Sequence, residues 1–552
     1  MIDFNKDAEE NFYDAETCEP VIEDGCDTGL EDDQSDIPTA SEIDSTNERC
    51  SLDGSSTRAL SPDDPSLQSA PIDDLEEDQS KKSVLDHLLA YSKPFQRFVT
   101  DNGEVYVGYN FNRRFETHSV ESKFIKRFLT KRYFDDTGKV FSKSDFKKFC
   151  DIYSINAEND EDQSVVHTRV AKIDDAYFLD TADDGGHIVR IDASGWSVQS
   201  NSMPFIRPNS MLSIALPEEG GSIDDLREFV RLSDDDFKIL IAFIIDCFRA
   251  DTIKPVLYIN GEPGSSKTTL VKIIMQLVDS SSRSVVSLPR NQRDLMIFAC
   301  KTWLLPFDNL SKITEAMSNS LCGVTTGAGM SIRKLYSDFE EIIFNVRRPM
   351  ILSGIEDFIS RPDLLSRCVM IRTLPMEPEK RREETSFWSE FDNKKSKILG
   401  ALLKAFSEAL GGNDPILQSA NTRMKDFALL GSALEQSESL GWDAGAFQQA
   451  LEEKQQTKIE TNLEGNTLSD HVRSIAETGT WNGTSLDLLK QVEQKYPSAN
   501  DLPNSAKELS IRLREISPML REMGIDIQFP SEPAWSPQHK ATIRKISITK
   551  SA

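Results

Sequence analysis

Residues 260–270, NGEPGSSKTTL, place Gly261, Lys267 and Thr268 at the spacing of a loop that wraps nucleotide phosphates, with Ser266 where a second glycine commonly stands. The chemistry behind that spacing is geometric. Small residues let the backbone fold over a polyphosphate, and the helix that follows turns its first N–H groups toward the anion. Lys267 would reach the β- and γ-phosphates of ATP, and the Thr268 hydroxyl would ligate Mg²⁺. Glu262, Pro263, Gly264, Ser265, Ser266 and Thr269 complete the expected nucleotide-contacting run. Ser266 is expected to keep a negative φ, at a cost of at most about 1 kcal/mol relative to glycine. The competing reading is a plain Gly/Ser turn at the start of a helix.

Such a loop needs a second carboxylate for the metal. Forty-one residues beyond Lys267, TWLLPFDNLS is an apolar strand ending in Asp308 and Asn309. Asp308 is the expected Mg²⁺ partner. Asn309 stands where a glutamate would polarise the attacking water; it can orient water by hydrogen bonding but cannot act as a base, so hydrolysis is slow or borrows Glu340 or Glu341.

The elements around these residues alternate. PVLYIN reads as a strand, TTLVKIIMQLV as a helix, TWLLPFD as a strand, ITEAMSNSLC as a helix and RRPMILSG as a strand, the βαβ rhythm of a parallel α/β sheet over about 255–375. A helix over 234–249 precedes them, with Ser233 as its N-cap and Asp236 three residues on. Upstream, 84–215 reads as a small α+β module. It contains a basic amphipathic helix over 119–134, carrying Lys123, Lys126, Arg127, Lys131 and Arg132, and a hairpin turn at DDGGH. Asp183 and Asp184 are expected to build that turn, and His167 and Arg169 to alternate structurally along one strand face. Helices fill 376–466. The segment 468–552 reads as three helices and a strand-rich wing.

The order GEPGSSKTTL, LLPFDNLS, LCGVTTGAGMSIRKLYSDFEE, RRPMILSGIEDFISRPDLLSR resembles the superfamily 3 helicases, and within them the ATP-binding proteins of phages and mobile elements related to poxvirus-type primase-helicase NTPases. The resemblance implies an AAA+-like ATPase core over 222–375. It implies a hairpin whose Arg333 and Lys334 grip DNA in a ring's central channel, and a γ-phosphate sensor at Ser353, where relatives carry Asn. It also implies an arginine finger for the neighbouring subunit, from Arg367 or Arg361. The C-terminal segment looks like a winged helix, with Lys507, Arg512, Arg514 and Arg521 on its helix and Arg544 and Lys545 on its wing.

Charge and composition narrow the class. The chain has 552 residues and a net charge of −28, yet residues 1–80 hold 25 acidic against 3 basic residues, so the body is nearly balanced. Residues 1–82, rich in Asp, Glu, Ser, Thr and Pro, are expected to be a disordered acidic tail. The eight cysteines form no C-x-x-C pair and no zinc pattern, and no apolar run reaches membrane-spanning length. A cytoplasmic protein without a membrane partner is the expectation.

The resulting expectation is an ATP-hydrolysing, ring-forming motor acting on single-stranded or forked DNA during replication of a phage, plasmid or other mobile element. A non-motor ATPase switch and a DNA-binding replication initiator are the alternatives. No primase centre is visible, which leaves room for a separate primase as partner.

Overall fold

The strand Val256–Asn260 shows how the sequence builds the core, because every one of its apolar side chains is buried and successive ones face opposite sides. It lies in a four-stranded, all-parallel sheet in the order Cys368–Arg372, Val256–Asn260, Met350–Gly354, Leu305–Leu310. A single parallel bridge from Val286 to Phe307 continues the outer edge. Parallel neighbours require crossovers, here made by the helices Lys267–Val278, Gln292–Lys301 and Glu315–Thr326. Leu257, Ile259, Ile351 and Ile371 pack on one side with the helices Asp234–Asp246, Lys267–Val278 and Glu384–Gly411. Val256, Tyr258, Phe307 and Leu352 pack on the other with Gln292–Lys301, Glu315–Thr326 and residues of the C-terminal segment. Both faces are covered, so these strands are continuously apolar.

The structure is a computed structural model. It describes residues 82–552 apart from 101–102, 112–113, 159–164, 334–340, 355–357, 360, 378, 380, 414–422, 464–465, 500, 530–533, 537–540 and 551–552. The acidic tail, Lys334 and Glu340 lie outside the described residues, and everything described here belongs to one unit, Gln79–Ala552. No described helix is long and apolar enough to cross a membrane.

The stretch 84–215 contains two sheets with separate cores. Gln96–Val99, Val105–Phe111 and Arg114–Ser119 form an antiparallel sheet that packs with the helices Val84–Ser92, Lys123–Thr137 and Lys143–Glu158. The strands Val170–Ile173, Ala176–Asp180, His187–Asp192 and Gly195–Ser200 form an antiparallel meander whose core is continuous with that of the parallel sheet. The DDGGH turn is present. Asp183 accepts from the backbone N–H of His187 at 2.8 Å and of Gly185 at 3.1 Å, and from Thr181 Oγ1 at 2.7 Å. Partial burial works against its ionisation, yet these donors and the His187 ring hold its carboxyl down at about 2.

Arg169 does not alternate along a strand. It sits at φ +63° just before Val170–Ile173, and its side chain is fully buried. Its Nε donates to Asp279 Oδ1 at 2.8 Å, Nη1 to the Asp180 carbonyl at 3.0 Å, and Nη2 to the carbonyls of Leu212 and Ser280 at 2.8 and 3.0 Å. Asp279 caps the C-terminal end of the helix Lys267–Val278, where a carboxylate opposes the helix dipole, so the guanidinium offsets it. The other Asp279 oxygen accepts from the N–H groups of Trp303 (2.8 Å) and Leu304 (3.1 Å), just ahead of Leu305–Leu310. His167, two residues before, is held neutral by burial, its pKa lowered to about 4.

The helix Asp234–Asp246 starts as expected, with the Ser233 hydroxyl accepting from the Asp236 N–H at 3.2 Å. The helices Glu384–Gly411, Lys425–Leu434 and Ala446–Leu463 follow the sheet. The final segment holds the helices Thr467–Thr478, Ser485–Lys495 and Ala506–Glu522 and an antiparallel sheet of Trp481–Gly483, Ile546–Lys550 and Ile525–Gln528, plus the pair Ala534–Ser536 and Ala541–Ile543.

Asp279→Ala would leave the Arg169 guanidinium buried without its counter-ion and two backbone donors unpaired. The expected cost is about 3–5 kcal/mol, read as a clearly lowered apparent Tm by circular dichroism. An unchanged melting curve would contradict the assigned role of this pair.

Candidate functional site

The C-terminal ends of the parallel strands converge on the loop 261–266. Asn260 ends its strand, and its Oδ1 accepts from the Gly261 N–H at 2.6 Å. Any side chain at Gly261 would collide, since a Cβ would lie 2.2 Å from Thr373 Oγ1 and 2.7 Å from Ser265 Oγ. Ser265 braces the loop from within. Its hydroxyl donates to the Glu262 carbonyl at 2.8 Å and shares a 2.7 Å hydrogen bond with Thr373 Oγ1, while the Thr373 N–H donates to the Asn260 carbonyl at 2.9 Å.

Ser266 departs from the expected negative φ. It stands at φ +64°, ψ +27°, as the residue before the helix Lys267–Val278, and makes no side-chain cap. Together with Gly264 at φ +79°, it turns the chain through left-handed conformations into that helix. A residue with a Cβ is strained there by roughly 1–2 kcal/mol, so the loop geometry overrides the local preference of serine. The N–H groups of the helix's first turn are left uncapped by the Ser266 side chain.

Lys267 Nζ donates to the carbonyls of Gly261 (2.7 Å) and Glu262 (2.8 Å), folding over its own loop. Partial burial lowers its pKa from the usual lysine range, with the Asp308 carboxylate acting in the opposite sense. The Thr268 hydroxyl donates to Asp308 Oδ2 at 2.6 Å. Asp308 is nearly buried in Leu305–Leu310, and Asn309 beside it is exposed at φ +59°. Between the two strands lies Met350–Gly354, which carries Ser353. The Ser353 side chain is fully buried, and its Oγ has no hydrogen-bond partner among the described residues. A buried unpaired hydroxyl costs about 1–3 kcal/mol, a cost relieved by a polar atom arriving from outside the chain.

A cavity of about 480 Å³ is lined by Pro263–Thr268, Asp308, Asn309 and Gly354, with Ser353 buried one residue behind its wall. Gly264 and Ser266 also line a second cavity of about 710 Å³. Its walls combine Phe229, Met376, Phe387 and Trp388 with Arg231, Arg381 and Arg382 and three glutamates. Phe387 stands edge-on to both Phe229 (5.5 Å between ring centroids) and Trp388 (5.2 Å). Sequence reasoning missed this second cavity entirely. Its residues come from 228–231 and 376–388, on opposite sides of the sheet in sequence, and no short motif links them; the adjacent aromatics Phe387 and Trp388 were the available signal.

The donor set suits a hard cation. Among the described residues no three His, Cys, Asp or Glu side chains cluster as a metal site. Mg²⁺ needs no such cage, because it keeps several waters and takes one or two protein oxygens beside phosphate oxygens. The Thr268 hydroxyl and Asp308 carboxylate, already in contact, are oxygen ligands of that kind.

The remaining expected residues lie elsewhere. Arg333 ends the strand Met330–Arg333, paired antiparallel with Glu341–Phe344 and opposite Glu341, so a hairpin does form here. Arg361 Nη1 lies 3.2 Å from Glu315 Oε1 and 3.8 Å from Glu515 Oε1, the latter in the C-terminal helix Ala506–Glu522. Arg367 Nη1 donates to the carbonyl and to Oδ1 of Asp363, both at 2.8 Å, and its side chain is only 13% exposed. In this chain both arginines are engaged internally.

Residues 223–456 match the family model of the actinomycete integrative conjugative element replication protein, and residues 466–552 match the model of the RepA C-terminal domain of such elements. No curated protein matches the chain. Among solved structures, the A-form apo structure of the NrS-1 C-terminal region aligns at 12% identity with a TM-score of 0.37, covering 83% of this chain and 98% of that one. A further apo structure of the same region gives 12% identity and a TM-score of 0.38, covering 84% and 99%.

The left-handed backbone at Ser266 yields a direct test. Ser266→Gly should leave the apparent Tm unchanged or raise it, whereas Ser266→Val should lower stability by at least about 1 kcal/mol. A valine variant as stable as the parent in scanning fluorimetry would contradict that conformation.

Proposed function

From the premise that this chain is, over residues 223–456 and 466–552, a member of the actinomycete integrative conjugative element replication protein family, we propose that it is an ATP-hydrolysing motor that works on DNA during replication of such an element. The observation that carries this reading is the pair of adjoining cavities. Lys267, Thr268 and Asp308 border one, Phe229, Phe387 and Trp388 border the other, and Gly264 and Ser266 line both. A nucleoside triphosphate has that shape: an anionic chain that needs a cation, hydroxyls and backbone N–H groups, joined to a flat base that stacks on aromatic rings.

In this reading Lys267 exchanges its two loop carbonyls for phosphate oxygens. Thr268 and Asp308 would hold Mg²⁺, which would supply positive charge to offset that of the phosphates. The superfamily 3 resemblance assigns γ-phosphate sensing to Ser353, whose hydroxyl is buried and unpaired among the described residues and must become accessible for that contact. Asn309 orients the attacking water without taking its proton, so turnover is slow for an enzyme of this kind. The superfamily 3 resemblance assigns DNA contact to Arg333 and Lys334 and assigns Arg367 or Arg361 to the neighbouring subunit's site in a homo-oligomeric ring. For either arginine to act in trans, its pairing with Asp363, or with Glu315 and Glu515, must first break. The C-terminal segment, with three helices and an antiparallel sheet, is read as a winged helix.

A second reading, a nucleotide-dependent switch without motor activity, is favoured by Asn309 and by the internal pairing of both arginines. The two differ in their response to DNA. A motor shows ATPase stimulation by single-stranded DNA; a switch assembles on nucleotide binding and ignores DNA.

Lys267→Ala should abolish phosphate release while leaving the circular dichroism spectrum intact. Trp388→Ala should raise KM for ATP by about 3–10-fold through loss of aromatic contact. Wild-type turnover in the Lys267 variant would refute the site.

A further inference from the structure

The helix Lys123–Thr137 carries its charge in an arrangement that costs stability. Residues 122–134 contain five basic residues and no acidic one. Ile125, Leu129 and Tyr133 are buried against the N-terminal core. Lys123, Arg127 and Lys131 recur at four-residue spacing on the opposite, exposed face, with a rise of about 6 Å between successive members. No ion pair or hydrogen bond engages these three side chains among the described residues. Lys123 and Arg127, and Arg127 and Lys131, repel as like charges four apart. The acid that continues the stripe, Asp135, stands in the last turn, and the first turn holds Lys123 and no acid, where the helix dipole favours an anion. A merely solvated face would gain by alternating its charges.

The stripe is flanked by exposed aromatic rings. Phe124 is 39% and Phe134 54% exposed. Phe124 is held in place by His118, stacked on it at 3.9 Å between ring centroids. Cations that track a backbone, alternating with rings that accept bases, are the components of a single-strand binding surface. Duplex DNA buries its base faces and has no use for the rings. An acidic protein partner would complement the charge but not call for two rings beside it, and the chain's replication family makes DNA the fitting polyanion.

We propose that the exposed face of this helix, Lys123, Phe124, Arg127, Lys131 and Phe134, is a contact site for single-stranded DNA that operates without nucleotide. It lies outside both matched family segments and does not rest on the ATP-site reading.

The test is fluorescence anisotropy of the full chain with a labelled single-stranded 20-mer and its duplex, without nucleotide, over a salt series. Combined Lys123→Glu, Arg127→Glu and Lys131→Glu should weaken single-strand binding at least about tenfold and make the slope of log K against log salt shallower by about 2, the value for three lost phosphate contacts. Combined Lys123→Gln, Arg127→Gln and Lys131→Gln, which removes the like-charge pairs without creating new ones, should melt no lower than the parent and still weaken single-strand binding. Phe134→Ala should weaken single-strand binding about fivefold or more and leave duplex binding unchanged. Unchanged affinity and salt slope in the glutamate variant would overturn the proposal. So would a loss for duplex equal to or larger than that for the single strand.

Discussion

All-parallel strands end on one edge, and that constraint shapes everything at the site. Ile259 lies in register with Ser353 on one side and with Ile371 on the other, and Leu352 with Phe307. The residues that follow these positions (Asn260 and the loop, Asp308, Gly354, Thr373) therefore emerge together, although up to 113 positions separate them in the chain. Thr268 meets Asp308 because the helix after one strand starts where another strand ends. Ligands in open α/β sheets gather at this edge for the same reason.

The opposite end of the same helix is anchored just as firmly. Asp279 ends the helix that Lys267 begins, and the Arg169 guanidinium binds it to the antiparallel meander and to the segment around Leu212. The second Asp279 oxygen itself holds the N–H groups of Trp303 and Leu304 at the start of the Asp308 strand. The 12-residue helix Lys267–Val278 thus joins the loop to a buried polar hub at its far end. A second link runs the other way across the sheet, where Arg361 joins Glu315 to Glu515 of the C-terminal segment. Both links are charged and discrete, unlike the apolar packing around them, so each can be broken singly.

Much of this was readable from the chain because local signals agreed. VLYIN, the small-residue loop and an apolar helix can hardly form anything but strand, turn and helix, and an apolar strand ending in Asp308 marks itself. The Ser233 cap was equally local, whereas the antiparallel pairing of Met330–Arg333 with Glu341–Phe344 was expected only from the family resemblance. What was unreadable depended on distance or handedness. Motif spacing gives the identity of Ser266 but not its φ, which the turn into the helix imposes. Thr-Arg-Val at 168–170 imitates strand alternation, and only the distant Asp279 explains why Arg169 turns inward. The aromatic cavity draws on residues about 150 positions apart, so no window of sequence contains it.

The central claim is that the two adjoining cavities receive one nucleoside triphosphate. Isothermal titration of the full chain with a non-hydrolysable ATP analogue tests it most directly, with and without Mg²⁺ and with Lys267→Ala and Trp388→Ala alongside. The account predicts one site per chain, strengthened by Mg²⁺, lost in the lysine variant and weakened in the tryptophan variant. Absence of binding at millimolar analogue with the metal present, or equal binding by all three proteins, would contradict it.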